Sequence, residues 1–122
     1  MTQDRIEKSI EQGIPVLVIH TYFDADVGKT VSTMVEEAIT QGCFSLVIDL
    51  SACAIINSSG VATLLDLACR IVQDFRGSLF LVGLDTLKRS VLDIGGVLMF
   101  AEEKPTRAEA VTAAADSHFS RS

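Results

Sequence analysis

Short apolar runs alternate with longer segments of helical spacing, and this alternation constrains the fold more than any other feature. Runs rich in branched residues predict buried strands at residues 16–19, 44–50, 78–82 and 97–100. Alternating polar and apolar residues at 5–11 predict one more strand, and Gln12-Gly13 predicts the turn after it. Because strands and helices alternate from there on, we expect an α/β fold with a mostly parallel sheet.

Four segments carry apolar residues at steps of three and four, which predicts helices. They lie at residues 27–41, 58–76, 86–94 and 107–117. The predicted order is β-β-α-β-α-β-α-β-α, with about five strands and about four helices. The short first turn makes the first strand antiparallel to the second. The 122 residues fit one domain at 1–117, with a frayed polar tail at 118–122. We expect the alanine-rich last helix to be only partly packed.

The composition narrows the classes of function. Hydrophobic residues make up 48% of the chain and aromatic residues only 6%, which predicts an aliphatic core. The net charge of −6 and the scattered basic residues argue against nucleic-acid binding. No apolar run reaches the roughly 18–20 residues of a membrane span, so we expect no membrane insertion. Three cysteines without C-x-x-C spacing favour free thiols in a reducing cytoplasm, and no metal site is expected.

The loop between the strand at 44–50 and the helix that begins at Ser58 ends in residue types that cap helices. Asn57, Ser58 and Ser59 carry side-chain oxygens that can accept hydrogen bonds from the first helical amides. The start of a helix also stabilises an anion, including a phosphate on a serine. Asp24 or Asp26 can cap the helix at 27–41 in the same way. Plain capping and a phosphate-bearing serine are both compatible with these residues.

The groups that nucleophilic catalysis requires do not occur in a recognisable pattern. The sequence Asn57-Ser58-Ser59-Gly60 is not a G-x-S-x-G nucleophile elbow. The only histidines are His20 and His118, and His118 lies in the predicted tail. The glycines form no phosphate-binding loop of the G-x-x-x-x-G-K type. We therefore expect no enzyme activity, no catalytic residues and no cofactor.

The segments LVIDLS at 46–51 and IINSSGV at 55–61 resemble the signature of the STAS domain. In that family a hydrophobic strand leads into D-L-S and then, after a few residues, into D-S-S-G and an apolar helix. The family is named for sulfate transporters and anti-sigma factor antagonists, and the resemblance extends over nearly the whole chain. It implies the STAS-type, SpoIIAA-like fold. The chain resembles the stand-alone antagonists and is related to the C-terminal STAS domain of sulfate transporters.

The resemblance also implies a function and a site. In the antagonists, the first serine of D-S-S-G is phosphorylated by a partner that is both a serine kinase and an anti-sigma factor. The unphosphorylated antagonist binds that partner, and phosphorylation breaks the complex. Carried over to this chain, Ser58 is the phosphoacceptor, and the partner-binding residues are Asp24, Asn57, Ser58, Ser59 and Gly60. The implied role is regulation of transcription by a cytoplasmic protein-binding switch.

One position departs from the family pattern, because Asn57 stands where the family usually has an acid. Asparagine caps a helix about as well as aspartate, so the expected fold is unchanged. Recognition by the kinase remains open. The alternative function is an interaction module of a sulfate- or anion-transporter-associated complex, or of a stressosome-like scaffold, without a switch at Ser58. The sequence also leaves a homodimer open.

Overall fold

The computed structural model describes residues 5–120 and contains the alternating elements that the sequence predicts. The strands are β1 (Ile6–Glu11), β2 (Ile14–Ile19), β3 (Ser45–Asp49), β4 (Ser78–Val82) and β5 (Glu102–Lys104). The helices are α1 (Ala25–Thr40), α2 (Ser58–Cys69), α3 (Thr86–Ile94) and α4 (Arg107–Ser120). The strands form one sheet in the order β1-β2-β3-β4-β5. The first pair is antiparallel and the other three pairs are parallel, which confirms the predicted α/β class.

A two-residue turn makes β1 and β2 a tight hairpin. Glu11 lies opposite Ile14 in the register, so only Gln12 and Gly13 lie between the strands. Both residues have positive φ, at 54° and 78°. Such a turn matches the right-handed twist of the flanking strands. The predicted turn is therefore confirmed, and it fixes the one antiparallel pairing of the sheet.

Each face of the sheet is covered by helices, and the two faces differ. One face packs against α1, α2 and α3 in a cluster that includes Leu17, Ile48 and Leu81. Among the described residues, the other face packs against α4 alone, with Ala110 and Ala114 fully buried. Small alanine side chains let this helix approach the sheet closely. Helix α4 is thus buried along one side and exposed along the other, in agreement with the expectation of a partly packed helix.

The prediction of a strand at 97–100 is wrong. Val97–Met99 form a 3₁₀ helix that follows Gly96, whose φ is 85°. Val97 is fully buried and Met99 is 81% exposed, so this apolar run does not enter the sheet as a unit. The fifth strand comes later, at Glu102–Lys104, where three charged residues pair with β4 at the edge. An edge strand of charged residues carries no apolar signal, which is why the sequence did not reveal it.

Two helices end at other points than predicted. The segment after α2 continues as a π-helical turn over Arg70–Asp74, within the predicted helix at 58–76. Helix α4 extends to Ser120, so residues 118–120 of the predicted tail are helical. Residues 121 and 122, like residues 1–4 of the predicted domain, lie outside the described residues. No helix in the described part of the chain combines the length and apolar character needed to cross a membrane.

Candidate functional site

The loop that connects β3 to α2, residues 50–57, leaves the middle strand of the sheet. Strands β2, β3 and β4 are parallel, so their carboxyl ends meet at one edge. The loops that follow β2 and β4 therefore flank the β3–α2 loop. Contacts on both sides fix its path and bring it to Ser58.

Asp49, the last residue of β3, fixes the start of the loop. One carboxylate oxygen accepts a hydrogen bond from the Ser51 amide at 2.9 Å, and the other accepts from the Arg107 guanidinium at 3.0 Å. Burial raises the pKa of Asp49, but the bonds from Ser51 and Arg107 outweigh it and leave the pKa lowered. The carboxylate thus remains ionised and serves the fold. The aspartate of the D-L-S motif is an internal anchor.

The β4–α3 connection supports the loop from one side. The Leu50 amide donates to the Val82 carbonyl at 2.8 Å. Gly83 has a φ of 81°, and a Cβ at this position would collide with Ser51. Only glycine meets both conditions without strain. The first residues of the loop are therefore held against the end of β4.

Lys88 of α3 also reaches this loop, and its side chain is only 4% exposed overall. Its ammonium donates to the Leu50 carbonyl at 2.6 Å and to the Cys53 carbonyl at 2.8 Å. Burial raises the pKa of the Cys53 thiol, while the charge of Lys88 acts in the opposite direction. Lys88 is not among the site residues that the sequence predicts. Its spacing was the available signal, since it lies four residues before the buried Leu92 and thus on the same side of α3.

The loop before α1 supports the other side. The Phe23 amide donates to the Ile55 carbonyl at 2.9 Å, and the Asn57 amide donates to the Phe23 carbonyl at 3.1 Å. These two hydrogen bonds form a short parallel bridge between the two loops. Asp24 directly follows Phe23 in the chain and therefore lies beside the β3–α2 loop. A Cβ on Gly60 would lie 2.5 Å from the Phe23 carbonyl oxygen, so glycine permits this close approach. Asp24, Asn57 and Gly60 thus belong to one structural unit.

Asn57 and Asp24 both act as helix caps. The Asn57 side chain accepts a hydrogen bond from the Gly60 amide at 2.9 Å and begins α2. The Asp24 side chain accepts from the Val27 amide at 3.0 Å and begins α1. Asp26 lies in the first turn of α1 and is exposed. The capping interpretation therefore holds for Asn57 and Asp24, and a further role for either must coexist with it.

Ser58 and Ser59 differ from their neighbours because both are exposed. Within residues 5–120, neither hydroxyl has a hydrogen-bond partner, since Asn57 supplies the cap. The first turn of α2 contains no acidic side chain, so nothing there neutralises the positive end of the helix. An exposed hydroxyl at such a position can be reached by an enzyme, and the helix start tolerates the charge of a phosphate.

An open apolar groove of about 390 Å³ adjoins Ser58. Its lining consists of Ile56, Ser58 and Val61 on one side and Val91, Ile94 and Gly95 on the other. Ile94, the last residue of α3, is 84% exposed although it is apolar. Ile55, in the loop, is also half exposed. The described surface next to Ser58 is therefore apolar rather than charged.

No protein-family model matches this chain, and no curated protein matches it. Solved structures do match. A serine-to-glutamate variant of RsbS from Moorella thermoacetica has a TM-score of 0.78 at 16% identity, covering 97% of this chain and 99% of that chain. An anti-sigma factor antagonist from Mycobacterium paratuberculosis has a TM-score of 0.75 at 19% identity, covering 89% and 92%.

The Bacillus cell fate determinant SpoIIAA, in its phosphorylated form, has a TM-score of 0.69 at 18% identity, covering 88% of this chain and 97% of that chain. At such identities the likeness concerns the fold. It agrees with the observed sheet order, the antiparallel first pair and the four helices. The chain therefore has the SpoIIAA-like fold of the STAS domain.

Proposed function

We propose that this chain is a non-enzymatic protein-interaction switch of the anti-sigma factor antagonist type. In the unphosphorylated form it binds an anti-sigma factor that is also a serine kinase. Phosphorylation of Ser58 by that partner releases it. The surface that binds the partner comprises Asp24, Asn57, Ser58, Ser59 and Gly60, together with the adjoining apolar groove. The proposal agrees with the names of the structural neighbours, which include anti-sigma factor antagonists and a phosphorylated SpoIIAA.

The exposed and unbonded hydroxyl of Ser58 is the observation that carries the proposal. A kinase supplies ATP, Mg²⁺ and the catalytic base, so its substrate needs only a hydroxyl that can be presented. Asn57 already caps α2, which leaves the Ser58 hydroxyl free. Phosphorylation therefore breaks no hydrogen bond to another described residue of the fold.

The consequence of phosphorylation follows from the surroundings of Ser58. A phosphate adds about −1.5 to −2 charges at pH 7. It would stand on the rim of the apolar groove, where a partner that contacts the groove must exclude water. A cost of about 3 kcal/mol would weaken the complex more than a hundredfold. The fold itself would persist, because the charge lies at the start of a helix.

A capture experiment with four baits tests the proposal. The wild-type chain, Ser58→Ala, Ser58→Glu and Ser59→Glu are used to recover partners from an extract of the native host, with identification by mass spectrometry. Ser59→Glu is the matched control, since it places the same charge on the adjacent exposed serine. We expect wild type and Ser58→Ala to capture a protein with an ATP-binding kinase domain and Ser58→Glu to lose it. Ser59→Glu should retain more of it than Ser58→Glu.

The same experiment separates the alternative function. If all four baits captured the same partners, the Ser58 switch would be wrong. A constant set of partners would favour a scaffold, and capture of a membrane transporter by every bait would favour a transporter-associated module. The amide side chain of Asn57 in place of the usual acid is the feature on which that alternative rests.

A further inference from the structure

Lys88 is the one lysine that the fold buries among those at 8, 29, 88 and 104. Its partners are two main-chain carbonyls of the β3–α2 loop, at Leu50 and Cys53. Within residues 5–120, no carboxylate lies at ion-pair distance from its ammonium. Lysine is almost never fully buried unless its charge is compensated. The burial of this cation therefore calls for an explanation in terms of what it holds.

The buried carbonyls of this loop account for the burial of Lys88. Leu50 and Cys53 are both buried, and a buried carbonyl needs a donor. The Leu50 carbonyl also accepts from the Cys53 amide at 3.1 Å, and the only side chain in the described structure that donates to the Cys53 carbonyl is Lys88. One ammonium thus closes a short bend of the backbone by bridging two carbonyls three residues apart. Hydrogen bonds from a charged donor are stronger than neutral ones.

The position of Lys88 on α3 gives this bridge a second effect. Val91 and Ile94, on the same helix, form one wall of the groove, and Ile56 and Ser58 stand on the other. Leu50 and Cys53 belong to the loop that leads to Ile56 and Ser58. Lys88 therefore links the two walls through a single side chain.

We propose that Lys88 is the residue that positions the partner-binding surface around Ser58. Its ammonium fixes the bend at residues 50–53 and thereby sets the loop that leads to Ser58 against α3. The proposal rests on the proposed function only in taking that surface to be the one that binds the partner. The positioning itself is a property of the free protein and can be measured without any partner.

The first test uses the wild-type protein. A side-chain ammonium that is buried and bonded to two carbonyls exchanges its protons slowly with water. In ¹⁵N-labelled protein at mildly acidic pH, we expect one lysine ammonium correlation to persist at a temperature where those of Lys8, Lys29 and Lys104 are lost. Lys88→Arg assigns it by its disappearance. The proposal is overturned if the Lys88 ammonium exchanges as fast as the other three.

The second test measures amide hydrogen exchange at Cys53 and Asn57, whose amides are bonded within the loop and to Phe23. We expect Lys88→Met to accelerate exchange at both amides at least tenfold more than at the amides of β4. Lys88→Arg should accelerate exchange at both amides less than Lys88→Met does. Arg89→Met is the control, because Arg89 is the next residue of α3 and pairs with Glu103 instead. Acceleration spread evenly over the chain, or equal in the control, would reduce Lys88 to a general stabilising role and overturn the proposal.

The partner experiment then connects positioning with function. Lys88→Met should capture less of the partner that wild type captures, while Arg89→Met captures as much. If the loop loosens but capture is unchanged, Lys88 does not position the binding surface. Failure of the Ser58 baits, by contrast, would refute the switch and leave the exchange results standing.

Discussion

Asn57 and Ser58 are adjacent residues with separate tasks. The amide side chain of Asn57 accepts the Gly60 N–H and begins α2, and the hydroxyl of Ser58 points to solvent without a described partner. Under the proposed function, stability and switching are divided between these neighbours. Substitutions at the two positions should have different effects.

Asn57→Ala should destabilise the fold by about 1 kcal/mol, because an uncapped helix leaves an amide unsatisfied. Asn57→Asp should be nearly neutral, and would restore the acid that the family usually has. Urea unfolding measures both. Ser58→Ala serves as the control and should change the free energy of unfolding by less than about 0.5 kcal/mol. Equal losses for Asn57→Ala and Ser58→Ala would contradict the division.

Gly60→Ala should cost about 1–3 kcal/mol through overpacking. The added Cβ would lie 2.5 Å from the Phe23 carbonyl oxygen and 2.6 Å from its ring. Backbone cannot yield as a flexible side chain does, so the loop before α1 must shift. Ser59→Ala, at the exposed neighbouring position, is the matched control in the same unfolding assay. A Gly60→Ala variant as stable as wild type would show that the close approach is not required.

Residue types predicted part of this site and concealed the rest. Asn57 and Asp24 were predictable as caps because short polar side chains before an apolar helix have few other uses. Lys88 was not, since lysine is ordinarily exposed and only the fold shows which carbonyls it reaches. Asp49 belongs to the D-L-S motif, but its partner Arg107 lies 58 positions away. Contacts of such separation cannot be read from local pattern.

Helices α1 and α2 begin side by side, and a single glycine allows their contact. Gly28 lies in the first turns of α1, where glycine weakens a helix by roughly 1 kcal/mol relative to alanine. A Cβ there would approach the Thr63 hydroxyl oxygen to 2.8 Å. The absence of a side chain at Gly28 thus leaves room for Thr63 where α1 packs against α2.

Gly28→Ala should destabilise the wild-type chain by about 1 kcal/mol and lose that penalty in a Thr63→Ala background. The clash disappears in the double variant, and the helix gains a better helix former. A double-mutant cycle by urea unfolding gives the coupling energy. Thr33→Ala is the control, since its hydroxyl bonds to the Lys29 carbonyl as that of Thr63 bonds to Ser59. If the effect of Gly28→Ala were additive with that of Thr63→Ala, as it should be with that of Thr33→Ala, the contact would be contradicted.

Among whole elements, the helices were predicted best and the fifth strand worst. Helix α3 has the bounds that its spacing predicts, Thr86–Ile94, and Asp85 is its cap, where the sequence left Asp85 or Thr86 open. The apolar run at 97–100 has the composition of a strand, but a left-handed Gly96 turns it into a 3₁₀ helix. Here one backbone angle overrides the composition of the segment that follows.

In the molecule as a whole, Arg107 joins α4 to the central strand. Its guanidinium donates to Asp49 at 3.0 Å and also contacts Glu11 at 3.3 Å. In the described part of the chain, α4 is the one helix on its face of the sheet, so this ion pair ties that layer to the edge where the β3–α2 loop begins. The charge on Asp49 therefore matters to both the fold and the site.

The stability of the chain should fall on acidification partly through Asp49. Its pKa in the folded state is lowered, so the unfolded state binds more protons at acidic pH. The contribution is complete above the ordinary aspartate value of about 3.9 and is lost as the pH falls through the lower folded-state pKa. Urea midpoints measured against pH should fall less steeply in Asp49→Asn than in wild type. A slope in Asp49→Asn equal to that of wild type would contradict this contribution of Asp49.

The measurement that bears most directly on the switch is the location of phosphate on the chain recovered from its native host. The chain is separated into a partner-bound pool and a free pool, and each is digested and mapped by mass spectrometry. Our account predicts phosphate on Ser58 in the free pool and an unmodified Ser58 in the bound pool. Phosphorylated Ser58 in the bound pool, or phosphate confined to Ser59 or to other residues, would contradict it.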